Sequence, residues 1–247
     1  RGLFYSGHVY SNAHTDQQVQ DMVDYLTARH FGEPTATNGT TGSGARKLVC
    51  DGNSLTIGTG ASAGQDYPTQ LASLLGGSWT VVNKGVASQT TGDLLLDGET
   101  DIDALYDATA SINILIAWEG TNDLFFGLTP LQAYRRMRDY VLRRKAAGWQ
   151  KVFVLTCMSR SDGGTPGTFN TSRATYNGQL VANVPATRII RIDLDTRIGD
   201  NGDELDTTYF NADKVHMIGD GYAIVAAITA AQANLNGPQR LLLMGCG

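Results

Sequence analysis

No run of apolar residues approaches the ~20 that a helix needs to cross a bilayer, which excludes a transmembrane helix from the 247-residue sequence. No leader pattern is present, and the chain opens at Arg1 rather than Met. The expectation is a fragment or processed form whose cellular address lies outside it. Cysteine is scarce: Cys50, Cys157 and Cys246 are too few and too scattered for a disulfide framework or a metal-ligand spacing. Cys50 and Cys157 each close an apolar run, which predicts buried thiols. Without an HExxH, a histidine pair or an Asp-rich loop, no catalytic metal and no cofactor is expected. A P-loop is excluded because no GK[ST] occurs, and Gly58, Gly60 and Gly64 are spaced GxGxxxG rather than GxGxxG. Basic runs are missing too. With 19 Lys and Arg against 24 Asp and Glu, the net charge of −5 offers no footprint for nucleic acid or an anionic membrane surface.

What is present suits a globular domain. An apolar fraction of 42% and a charged fraction of 17% are ample for a core, and the length fits one α/β domain with a small appendage. Residues 1–31 form that appendage, with a strand-like Leu3-Phe4-Tyr5 and Val9-Tyr10. A helix then opens at Thr15-Asp16 with Val19, Met22, Val23 and Leu26 at helical spacing. Residues 32–45, rich in Gly, Thr, Ser and Pro, read as a linker. From there to about residue 236 strands and helices alternate. The expected strands are Leu48–Cys50, Trp79–Asn83, Ile112–Trp118, Val152–Thr156 and Arg188–Leu194. The expected helices are Pro68–Leu75, Pro130 to about Gly148, Ser172–Val184 and Gly221–Asn234. Such alternation predicts an α/β fold, a three-layer α/β/α sandwich with a five-stranded parallel sheet. Residues 237–247 form a tail in which Arg240–Cys246 reads as a short strand.

The chemistry-bearing residues follow the strands. Lys47–Gly60 is an apolar run stopped by Asp51-Gly52-Asn53-Ser54, which presents Ser54 at a strand-to-helix turn. Ser54 and Asn53 each also fit a plain helix-capping role. Gly85 follows the second strand and Gly120-Thr121-Asn122-Asp123 the third. Of four histidines only His216 lies in the α/β domain, three residues after Asp213, close enough for the carboxylate to orient the imidazole. Asp-x-x-His alone occurs often by chance, and each turn alone has a structural reading. In a doubly wound sheet, however, these loops open on one edge. Together they form the layout of an acyl-transfer site.

Four stretches resemble the motifs of the SGNH, or GDSL-type, hydrolase superfamily. Asp51-Gly52-Asn53-Ser54-Leu55-Thr56-Ile57-Gly58 is similar to the first motif, G-D-S-[LI]-T-x-G. Asn83-Lys84-Gly85-Val86-Ala87-Ser88 is similar to the second, N-x-G-x-x-G. Gly120–Asp123 matches G-x-N-D, and Asp213–His216 matches D-x-x-H. The resemblance runs from about Lys47 to Asn234. It implies the flavodoxin-like SGNH fold and a serine ester hydrolase with Ser54 as nucleophile, His216 as base and Asp213 as its orienter. The implied oxyanion donors are Ser54 N–H, Gly85 N–H and the Asn122 amide. Asn53 stands where the motif has Asp, Ser88 where it has the second Gly, and Glu119 precedes the third motif; these put the sub-family in doubt, not the chemistry.

No long apolar lid is evident in Leu124–Leu128 or Ser159–Phe169, which favours short acyl groups, acetyl on a carbohydrate among them. The expected partner is a small-molecule or carbohydrate ester, with neither nucleic acid nor membrane. A thioesterase or lysophospholipase is the competing enzyme, and a non-catalytic carbohydrate-binding or adhesion module the competing class. Residues 1–31 weakly resemble the closing strand and helix of a concanavalin-like (laminin-G-like) domain. That implies a preceding lectin-like module, against the alternative of an ordinary extension.

Overall fold

The structure, a computed structural model, describes residues 44–235. The appendage 1–31, most of the expected linker and the 237–247 tail with its expected strand lie outside the described residues. Strands β1 (Gly44–Gly52), β2 (Trp79–Gly85), β3 (Ala110–Trp118), β4 (Lys151–Leu155) and β5 (Arg188–Ile190) form one sheet in the order β2-β1-β3-β4-β5. Every neighbouring pair is parallel. The helices are α1 (Ser54–Ile57), α2 (Tyr67–Leu75), α3 (Thr91–Asp97), α4 (Thr121–Phe125), α5 (Pro130–Ala146), α6 (Phe169–Asn183) and α7 (Gly219–Gln232).

The two-residue period of the strands divides the core. Leu48, Cys50, Ile114, Ile116, Trp118, Phe153 and Leu155 pack on one face against Tyr67 and Leu71 of α2 and Tyr222 and Val225 of α7. Val49, Leu115, Ala117, Val152 and Val154 pack on the other against Tyr134, Met137 and Val141 of α5 and Tyr176 and Leu180 of α6. This is the three-layer sandwich, and burial of both faces explains why β3 reads as a near-continuous apolar run. Helix α5 begins where the sequence signals it. Thr129 and Gln132 form a reciprocal capping box ahead of Pro130, and Arg143, Arg144 and Lys145 sit in the last turn, where cations favour the helix dipole.

Among the boundaries that differ from expectation, two have clear tertiary reasons, while β2 runs on to Gly85, β3 starts at Ala110 and α6 starts at Phe169. β1 starts at Gly44, inside the expected linker, and runs on to Gly52, because it is flanked on both sides: Arg46 pairs with Trp79 and Ile112, and Gly52 with Gly85 and Trp118. β5 stops at Ile190 rather than Leu194. Arg191 turns away (φ −87°, ψ 76°) and pairs with Asp193 in a 3-10 turn over Ile192–Leu194. The four to seven residues of α1, α3 and α4 are too short for an apolar period to register.

Strand order is what positions the site. The β1-to-β2 connection moves one way along the sheet, and the β2-to-β3 connection crosses back over β1. A crevice therefore opens between the carboxyl ends of β1 and β3, where this topology binds ligands.

Candidate active site

At the end of β1, Asn53 caps α1: its Oδ1 accepts the Leu55 N–H at 2.9 Å. Ser54 is the first residue of that helix, and its N–H has no acceptor among the described residues. The capping role foreseen for Asn53 and the presentation of Ser54 coexist in one turn.

His216 comes from the loop before α7. Its Nε2 lies 2.8 Å from Ser54 Oγ and its Nδ1 lies 2.7 Å from Asp213 Oδ2. A carboxylate accepts only, so Nδ1 carries the proton and Nε2 is left to accept from the serine hydroxyl. The other Asp213 oxygen accepts the backbone N–H groups of Val215 and His216 at 3.1 and 3.0 Å. Partial burial opposes ionisation of Asp213, but these hydrogen bonds from His216 and Val215 outweigh it and hold the carboxyl below its ordinary range. The tight turn needs Lys214 in the left-handed region (φ 61°). Two ties anchor this loop: Asn211 donates to Gly60 O at 3.1 Å, and Ser161 N–H donates to Lys214 O at 3.2 Å.

Asn122 lies in α4, after β3. One of its amide hydrogens goes to the Gln89 carbonyl at 2.8 Å, leaving the second for another acceptor. Asp123 holds the same two loops together by accepting the Thr91 N–H at 2.9 Å and the Thr91 hydroxyl at 2.5 Å. Gly120, which opens α4 at φ 118°, has no room for a side chain: a Cβ there would come within 2.5 Å of the Tyr176 ring.

Gly85 departs from expectation. Its N–H donates to Asn83 Oδ1 at 2.9 Å, so it is not a free donor. What the position requires is space, since a Cβ would lie 2.2 Å from the Ile57 nitrogen. Two N–H groups of this loop, those of Ala87 and Ser88, have no acceptor among the described residues. Ser88 adopts φ 62°, next to the Gln89 carbonyl that holds Asn122. The sequence did carry a signal, because Ser88 occupies a glycine position of the second motif and a positive φ is what glycine serves there.

Three buried carboxyls underlie these loops. Burial pushes Asp51 up to about 7, against a short hydrogen bond from Tyr140 and the attraction of Arg144. It raises Glu119 well above the carboxylate range, reinforced by Asp123, and it raises Asp123 against the Thr91 hydrogen bonds. On the rim, the Arg160 guanidinium lies 4.1 Å from the Phe125 ring centroid and 5.8 Å from that of Phe169, and is held bidentately by Asp162. This contact packs the Ser159–Phe169 loop on α4.

The fold and its loop edge define an α/β ester hydrolase. Residues 50–224 match the GDSL-like Lipase/Acylhydrolase family, and the chain belongs to that family. Among solved structures it is similar to a member of the lipolytic G-D-S-L family from Veillonella parvula DSM 2008. That match has a TM-score of 0.60 and 18% identity, and covers 76% of this chain and 97% of the other. A carbohydrate acetylesterase from Sinorhizobium meliloti matches with a TM-score of 0.54 and 18% identity over 77% and 99% of the two chains. An acetylxylan esterase from Geobacillus stearothermophilus gives 0.56 and 20% over 76% and 94%. No curated protein matches the chain.

Proposed function

We propose that the protein hydrolyses short-chain acyl esters, acetyl esters of carbohydrates foremost, with Ser54 as nucleophile, His216 as general base and acid, and Asp213 as the group that orients His216. The observation that carries this reading is the unbroken series Asp213–His216–Ser54, joined at 2.7 and 2.8 Å. Ser54 Oγ attacks the ester carbonyl as its proton passes to His216 Nε2, and the imidazolium then protonates the leaving alcohol. Water repeats the sequence on the acyl-enzyme. The tetrahedral oxyanion is held by the Ser54 N–H, by the second Asn122 amide hydrogen and by the Ser88 N–H. Gly85 serves by letting the β2 end approach α1.

Asn122→Ala removes one donor without touching the nucleophile. It is expected to lower kcat about 10²–10³-fold with KM little changed, measured on p-nitrophenyl acetate. An unchanged kcat would remove Asn122 from the oxyanion hole.

Support for the acyl and alcohol class comes from the lack of a long apolar lid on the 124–128 and 159–169 loops, and from the two acetylesterases among the similar folds. Ile57, Val86 and Phe126, exposed apolar side chains on the site loops, favour a second reading with longer acyl chains. A series of p-nitrophenyl esters from acetate to palmitate, run beside acetylated xylan, separates them. The first reading expects activity that falls with chain length and acetate release from the xylan. A maximum at palmitate favours a lysophospholipase or thioesterase, and glycan binding without hydrolysis of any ester refutes catalysis.

A further inference from the structure

Two departures from the family pattern lie 66 positions apart, and the fold makes them partners. Asn53 Nδ2 donates to Glu119 Oε2 at 2.6 Å. The same oxygen accepts the Gly120 N–H at 3.0 Å. Asn53 is the cap of the helix that begins with Ser54, and Gly120 is the cap of the helix that carries Asn122. Both Asn53 and Glu119 are buried, at 1% and 0% exposure. The Glu119 backbone is fixed from behind as well, its carbonyl accepting the Tyr176 hydroxyl at 3.1 Å and the Cys157 thiol at 3.4 Å.

We propose that Glu119 is a positioning residue whose Oε2, as an acceptor shared by Asn53 and Gly120, locks the Ser54 turn to the Asn122 turn and sets the spacing between nucleophile and oxyanion donor. This rests on the roles given above to Ser54 and Asn122. It also explains why position 53 carries an amide. An aspartate there would set two carboxyl oxygens face to face at the bridge, and like charges that close do not both ionise. Burial, reinforced by Asp123, raises the Glu119 carboxyl well above the ordinary carboxylate range. Oε1 has no partner among the described residues, and Oε2 alone accepts both bonds through its two lone pairs. A glutamine has nearly the same shape and keeps a carbonyl oxygen that can accept both bonds.

The test compares kcat and KM on p-nitrophenyl acetate for E119Q, E119L and N122A/E119L, with S54A as the blank. E119Q is expected to stay within about threefold of the parent in kcat. E119L, similar in size but with no acceptor, is expected to lose about tenfold to a hundredfold in kcat with KM little changed, since a misplacement on the order of 1 Å can cost about 10²-fold. Added to N122A, it should cost far less, because the donor it positions is already gone. Wild-type kcat in E119L, equal losses in E119Q and E119L, or full additivity with N122A would each overturn the proposal. If E119L does not fold, N53D and N53D/E119Q decide. N53D should be impaired and the double variant more active than N53D, because the introduced amide donates to the introduced carboxylate; absence of that recovery overturns the bridge. Activity in the S54A blank would strike instead at the reading on which the bridge rests.

Discussion

Ser54→Ala is expected to abolish turnover of p-nitrophenyl acetate, a loss of about 10⁶-fold in kcat. Alanine keeps the backbone N–H proposed for the oxyanion, and it is a good helix former at the first position of α1. The cap is made by Asn53, not by Ser54, so the turn survives the change. Only the hydroxyl that His216 Nε2 meets at 2.8 Å disappears. Residual rate above the uncatalysed reaction would come from binding and the remaining donors, about 10³–10⁴-fold over water. His216→Ala should cost about as much, and combining the two should cost little more, because groups that act as one unit are not additive. A Ser54→Ala enzyme with unchanged melting temperature and undiminished kcat would end the assignment.

Asp213→Asn should lower kcat by about 10³–10⁴-fold. Both polar atoms of the new side chain face definite partners. Its oxygen can still accept the Val215 and His216 backbone N–H groups, which preserves the turn. Its amide nitrogen then faces His216 Nδ1 at the place where the carboxylate stood, 2.7 Å away. A donor there forces the proton onto Nε2, and the ring loses the lone pair that receives the serine proton. The loss is put below that of Ser54→Ala because the Asp213 side chain is 47% exposed, and water can compete for Nδ1 and restore part of the correct tautomer. A melting temperature close to the parent, with kcat/KM reduced to this extent, is the expected pair of results. A kcat/KM within about threefold of the parent would remove Asp213 from the mechanism.

How far the sequence could be read followed the range of the interaction concerned. Strand cores were legible because burial on both faces writes itself as near-continuous apolar runs, as in Ile112–Trp118 with its single Asn113. Helix α5 was legible from Thr129 and Pro130, an N-cap and a first-turn proline that start it locally. The Asp213–His216 pair was legible for the same reason, since a turn three residues apart brings the two groups together. The end of β5 was not. Whether Arg191 continues the strand depends on its pairing with Asp193 and on the edge position of β5, and neither is encoded by alternation.

The oxyanion loop shows the same limit inside the site. The motif pointed to Gly85, and the residue is indeed one that tolerates no side chain. Its N–H is nevertheless spent on Asn83 Oδ1, a bond decided by the side-chain rotamer two residues back. The Ser88 N–H three residues later, without an acceptor among the described residues, could be suspected only from a serine standing where the pattern has glycine.

The sequence by itself determined the layered fold, the family, and the three loops that carry Ser54, Asn122 and the Asp213–His216 pair, because apolar period, caps and short motifs are local properties of the chain. Only the tertiary structure decided what those loops do to one another. Ser54 meets His216 across 162 residues, and Asn53 meets Glu119 across 66. The second contact exists because the crossover from β2 to β3 sets β1 beside β3, and the first because the loop before α7 is tied to Gly60 through Asn211. Asn53 and Glu119, two unrelated oddities along the chain, become one hydrogen bond when the carboxyl ends of those strands are brought side by side.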